Sequence, residues 1–149
     1  MHFRTINETP KTYILVFETG DELAAGLLQF AQDQQLSGAS FKAIGALSSV
    51  RLGWLNWESK QYEPSVTLDE QVELVSLIGD IALLDGRPVV HAHAVVATRV
   101  GAARGGHLLS ARVRPTCELA LTVSPVPLQK IHDPEAGIAL IQPTNASSR

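Results

Sequence analysis

Apolar positions in this chain recur mostly in steps of two. The run 12–17 (T-Y-I-L-V-F) is β-branched and aromatic and predicts a buried strand. The spacing turns helical once: Leu23, Leu27, Phe30 and Ala31 share a face, with Ala24 and Leu28 widening the stripe. Thr19 stands three residues before Glu22, which predicts a capping box, and Gly38 predicts the stop of a helix of about four turns. Beyond Gly38 the character is β, with predicted strands at 40–45, 50–57, 61–62, 72–81, 88–100, 107–113 and 116–123, and a last edge strand at 137–141. Asp85-Gly86 predicts a two-residue hairpin; Val100-Gly101-Ala102 and Arg114-Pro115 predict the next reversals.

A helix followed by strands on tight turns predicts an α+β fold, a mainly antiparallel curled sheet with one principal flanking helix. One helix cannot cover both faces of so many strands. The sheet must curl on itself or meet another copy, for which Trp54 and Trp57 are candidate contacts. At 149 residues the chain suits a single domain spanning 1–149, with an ordered core over about 11–141 and a mobile polar tail over 142–149.

Composition narrows the setting. The chain is 45% hydrophobic and 18% charged, and no apolar run approaches the ~20 residues of a membrane span. No apolar leader opens it, so a cytoplasmic location with no membrane partner is the expectation. The lone Cys117 rules out an intramolecular disulfide and agrees with a reducing compartment. Its neighbours give no sign of an activated thiolate, so a buried, inert cysteine is expected.

The net charge of −3 argues against binding nucleic acid through bulk charge. The charge is uneven, however. Between Gly86 and Cys117 there is no Asp or Glu, while Arg87, Arg99, Arg104, Arg112 and Arg114 all fall there. Either these are solvated arginines balanced elsewhere, or they form an electropositive rim able to hold an anion.

The strongest chemical signal lies in the same window. His91 and His93 sit one residue apart on a predicted strand, so they share a face roughly 7 Å apart. A reversal at 100–102 would bring His107 across from the 93–97 stretch, with Gly105-Gly106 suited to a bulge that re-aims it. Three neutral imidazoles with an open fourth position suit Zn²⁺ or another divalent transition metal; the alternative is histidines bonded to the backbone. Glu118 is the acidic candidate for proton transfer near the motif, or else a salt-bridge partner of Arg112 or Arg114. Those two arginines are in turn candidates for binding a small anion. Gly86-Arg87-Pro88 has the core of an AT-hook but lacks flanking basic residues, and no catalytic triad, phosphate loop or dinucleotide fingerprint appears.

Several stretches together resemble the PPC domain (plants and prokaryotes conserved domain): Gly45-Ala46-Leu47-Ser48-Ser49, Ile78-Gly79-Asp80-Ile81, Asp85-Gly86-x-Pro88-x-x-His91-x-His93, Gly105-Gly106-His107 and Pro115-Thr116-Cys117-Glu118. The match runs over roughly 13–121. The resemblance implies an α+β domain assembling as a homotrimer. In plants that domain accompanies AT-hook segments in DNA-binding regulators; bacterial and archaeal members are bare domains described as DNA-binding-like. The fold is also similar to a domain of acetolactate decarboxylase, whose zinc is held by a His-x-His pair plus a third histidine, positions matched by His91, His93 and His107. The implied function is a trimeric metal-binding, DNA-binding-like regulatory module, with direct DNA contact resting on the arginine rim. The alternative is a zinc-dependent lyase or hydrolase acting on a small anionic oxo- or hydroxy-acid.

Overall fold

Alternation of apolar side chains builds most of the fold. In the computed structural model, which describes residues 1–143, Tyr13, Leu15 and Phe17 point inward from strand β2 (Lys11–Glu18). Strand β1 (His2–Glu8) pairs with it in a hairpin. Helix α1 (Leu23–Asp33) buries the predicted stripe of Leu23, Leu27, Phe30 and Ala31. The strands that follow are β3 (Gly38–Asn56), β4 (Gln61–Leu68), β5 (Val72–Leu84), β6 (Arg87–Ala97), β7 (Ala103–Val123), β8 (Gln129–His132) and β9 (Ala139–Gln142). They form one mixed sheet, antiparallel except where Leu83 of β5 meets Gln129 of β8.

The sheet curls until it closes. β3 pairs with β5, β5 with β6, β6 with β7, and β7 again with β3. This circuit is the curling expected of a sheet with a single short helix. Its interior holds Phe41, Leu47, Leu52, Leu74, Leu77, Val96, Val113 and Leu119, and α1 packs against β6 and β7. Along β6, Ala92, Ala94 and Val96 face this core, which turns His91, His93 and Val95 to the other side.

Several sequence expectations change. β3 and β7 each join two predicted strands, because bulges bend them without ending them. Gly45 pairs with Cys117 but Leu47 with Val113, so Arg114-Pro115 bulges within β7 where a reversal was expected. The Thr19 capping box is replaced: the Glu22 carboxylate accepts from the Ala25 N–H at 2.6 Å, while Thr19 donates to the Pro115 carbonyl at 3.2 Å. The other Glu22 oxygen accepts from Ala111 N–H at 2.8 Å, tying the helix start to β7. The helix ends at Gln34, short of Gly38.

β1 lies where no strand was expected, and β4 runs well past Tyr62 despite Pro64, as an edge strand permits. The Gly105-Gly106 bulge does not form, since both residues pair in regular register with Val95 and Ala94. The Gly86-Arg87-Pro88 triplet belongs to the β5–β6 hairpin, with Asp85 and Gly86 at φ 51° and 76° as a two-residue turn requires. Of the tail expected over 142–149, residues 144–149 lie outside the described residues. No helix among the described residues is long and apolar enough to cross a membrane.

Candidate metal centre

The three histidines meet on the outer face of β6 and β7. His93 pairs directly with His107 across the β6–β7 ladder, and His91 lies one step further along the same face of β6. One ring nitrogen from each residue falls within 4.8 Å of the others, with ring centroids 5.1, 5.3 and 5.5 Å apart. The regular register is what aims His107 inward at the pair, without help from a bulge.

The surroundings fix how each ring is presented. His91 Nδ1 lies 3.3 Å from Asp80 Oδ2, and Asp80 sits directly opposite His91 on β5. A carboxylate at Nδ1 favours the tautomer that leaves the Nε2 lone pair free. Asp80 Oδ1 in turn lies 2.8 Å from Nζ of Lys130, a side chain carried in from β8 and almost fully buried. Burial alone would raise the Asp80 pKa, but hydrogen bonds and charge from His91 and Lys130 bring it below the usual carboxylate range. Tyr62 of β4 stacks on His107 at 3.8 Å between ring centroids. Gly79 allows the close approach behind the site, because a Cβ there would run into the His91 carbonyl oxygen and the Phe41 ring.

His91 Nε2 and His107 Nδ1 are both buried without a hydrogen-bond partner among the described residues. A buried polar atom left unpaired costs ~1–3 kcal/mol, and an ion between the rings would relieve both. Burial, then the neighbouring His91, His93 and Lys130, lower the His107 pKa to about 4, so this ring is neutral and ready to ligate at ordinary pH. His93 is lowered too, by burial and then by His91. The donor set therefore fits a divalent transition metal with a position left open. His91 and His107 also line a cavity of about 380 Å³, together with Tyr62, Asp80, Lys130 and apolar side chains of β5, β6 and the β8–β9 arm.

The other candidates lie elsewhere. Glu118 stands opposite Val16 and Ile44 on the far half of β7, beside a surface depression that includes Val75 and Ile78. Arg112 donates to the Gly20 carbonyl at 3.0 Å, and Arg114 Nε donates to Gln71 Oε1 at 2.7 Å. Neither arginine lines the cavity beside the histidines. Cys117 is buried, and burial followed by Glu118 pushes its thiol up to about 12, which keeps it protonated. Asp80, Lys130 and Tyr62 belong to the site without having been singled out. An acid inside the apolar run Ile78-Gly79-Asp80-Ile81 was the readable signal for the first.

A family model described as the Plants and Prokaryotes Conserved (PCC) domain matches residues 4–125. No curated protein sequence matches the chain. Among solved structures it is similar to a "Putative DNA-binding protein" from Ralstonia eutropha JMP134, with 34% identity over 89% of this chain and 91% of that one and a TM-score of 0.82. It is also similar to a metal-containing protein from Archaeoglobus fulgidus, with 27% identity over 95% of this chain and 97% of that one and a TM-score of 0.80. A Staphylococcus aureus protein described as similar to alpha-acetolactate decarboxylase shares the fold alone. Identity there is 12% with a TM-score of 0.54, over 85% of this chain and 55% of that one.

Two outcomes follow from this geometry. Asp80→Asn keeps the shape but loses the charge that orients His91, and should weaken Zn²⁺ affinity by about 10- to 100-fold in a competition titration. For the metal-free protein, the lowered His107 pKa means that below about 6.5 the unfolded chain binds a proton that the folded chain refuses. Stability should therefore fall as pH drops from about 6.5 towards 4, and His107→Gln should flatten that slope in urea denaturation.

Proposed function

The chain belongs to the Plants and Prokaryotes Conserved (PCC) domain family, and on that premise we propose a homotrimeric metal-binding module. Its His91, His93 and His107 hold Zn²⁺ or a similar divalent ion and present it to a small anionic ligand. One observation carries this reading: one ring nitrogen from each of three histidines lies within 4.8 Å of the others, in a cluster where His91 Nε2 and His107 Nδ1 are buried with no partner among the described residues. When bound, such an ion supplies a Lewis acid with a position open to an anion. The chain's own residues do the rest. Asp80 orients His91, Lys130 holds Asp80, and Tyr62 braces His107 by stacking. The metal-containing Archaeoglobus relative supports the reading by kinship.

A zinc-dependent lyase or hydrolase acting on a small oxo- or hydroxy-acid is the second reading, and the cavity beside the histidines favours it. Catalysis also needs a group to carry protons. The one carboxylate among the described residues that line the cavity, Asp80, is committed to His91 and Lys130. That leaves the Tyr62 phenol, which burial keeps protonated, as a proton donor. DNA binding, in the name of the Ralstonia relative, is supported for this chain by kinship alone and opposed by the net charge of −3.

The trimer draws support from the sheet's outer face. Ile44, Val75 and Ile78 are 62%, 53% and 59% exposed and gather around one depression. Ile78 pairs directly with His93, so this apolar surface runs up to the metal centre. Contiguous apolar surface of this kind marks an interaction site.

Elemental analysis of protein equilibrated with a slight excess of Zn²⁺ and then freed of unbound metal should find one ion per chain, and His91→Ala or His107→Ala should abolish it. Retention of the full metal content by both variants would refute the three-histidine centre. Ile44→Glu should shift the mass measured by light scattering from that of three chains to that of one, with the far-ultraviolet spectrum unchanged. An unaltered mass would show that this face does not assemble the protein.

A further inference from the structure

The cavity beside the histidines is chemically lopsided. Tyr62, Asp80, His91, His107 and Lys130 supply its polar groups, while Leu84, Val89, Val90 and the arm residues Ile138, Leu140 and Ile141 supply hydrocarbon. The register separates the two characters. Val89 pairs with Ala82 and shares a face with His91, but lies one step nearer the Asp85-Gly86 turn, with Leu84 closer still to it. A ligand reaching the imidazoles therefore trails along an apolar wall. At about 380 Å³ the cavity is in the range of small-molecule sites.

Charge decides the nature of the ligand head. Asp80 and Lys130 cancel one another at 2.8 Å, and an imidazole that holds a metal ion does so as an uncharged donor. A divalent ion on those donors leaves its own charge uncompensated, which an anionic head would offset. The tail meets no second cation among the lining residues, so a second carboxylate would be buried unpaired there. We infer that this cavity binds a small monocarboxylate bearing a short apolar chain, its carboxylate at the histidine centre and its chain against Val89, Leu140 and Ile141. This inference rests on the metal reading and adds the ligand's chemical class to it.

The test uses the full chain loaded with Co²⁺, whose visible spectrum reports what occupies the open position. Acetate, hexanoate and adipate are titrated in turn. Hexanoate should perturb the spectrum saturably and bind about tenfold or more tighter than acetate, because its extra methylenes are buried. Adipate, of equal length with a second carboxylate, should bind no better than acetate. Val89→Thr and Leu140→Gln should each pull hexanoate down towards acetate, and two variants guard against the misfolding of one. Equal affinity for hexanoate and acetate, or for adipate and hexanoate, on a cobalt-loaded protein overturns the inference and leaves the metal centre standing. Failure of Co²⁺ to bind overturns both.

Discussion

A slip of β7 by one residue against β6 would turn His107 to the face occupied by Ala94 and Leu108, leaving His91 and His93 an isolated surface pair. The whole site therefore depends on the pairing of His93 with His107. The ladder from His93–His107 to Ala97–Ala103 runs without a break, while the bulges of β7 fall where it pairs with β3. Packing holds the register from behind. Ala92, Ala94 and Val96 are buried on the opposite face of β6, and Gly79 lets Phe41 and the His91 backbone approach from β3 and β6. Small residues beneath the histidines are thus as much a part of the centre as the imidazoles.

The ion pair behind the rings has a different logic. Burying Asp80 and Lys130 costs desolvation that consumes much of their attraction, so the pair is poorly explained as a source of stability alone. It makes sense as a positioning device. Asp80 spends one oxygen on Lys130 and the other on His91, which fixes both the charge of the carboxylate and the tautomer of the ring. Lys130 arrives on the one parallel pairing among the described strands, reinforced by Leu83 N–H donating to the Leu128 carbonyl at 2.8 Å. The β8–β9 arm is thereby anchored to the same carboxylate that orients a candidate ligand.

What could be read from the sequence was local. His91-x-His93 is a period-two signal, and the α1 stripe and the Asp85-Gly86 turn are periodicity and turn chemistry. What could not be read depended on contacts distant in sequence. Glu22 replaces Thr19 at the helix start because Ala111 N–H, brought close by β7, engages its second oxygen. Arg114-Pro115 resembles a reversal in isolation, yet β3 and β2 pair on either side of it and carry the strand through as a bulge. Asp80 and Lys130 are far apart in the chain, and only the parallel pairing of β8 with β5 makes them neighbours.

The arginine-rich window gives the last constraint. Its expected electropositive rim is in part spent on structure: Arg104 donates to the Ala103 carbonyl, Arg112 to that of Gly20, and Arg114 to the Gln71 side chain. Among the described residues, the cavity lining contains Lys130 as its one Lys or Arg side chain, already paired with Asp80. Within that lining, a bound divalent ion would be the main source of positive potential, since Asp80 offsets Lys130. Under the proposed reading, anion affinity at this centre would be conditional on metal, which would separate it from a surface that binds phosphate through fixed arginines and responds chiefly to salt.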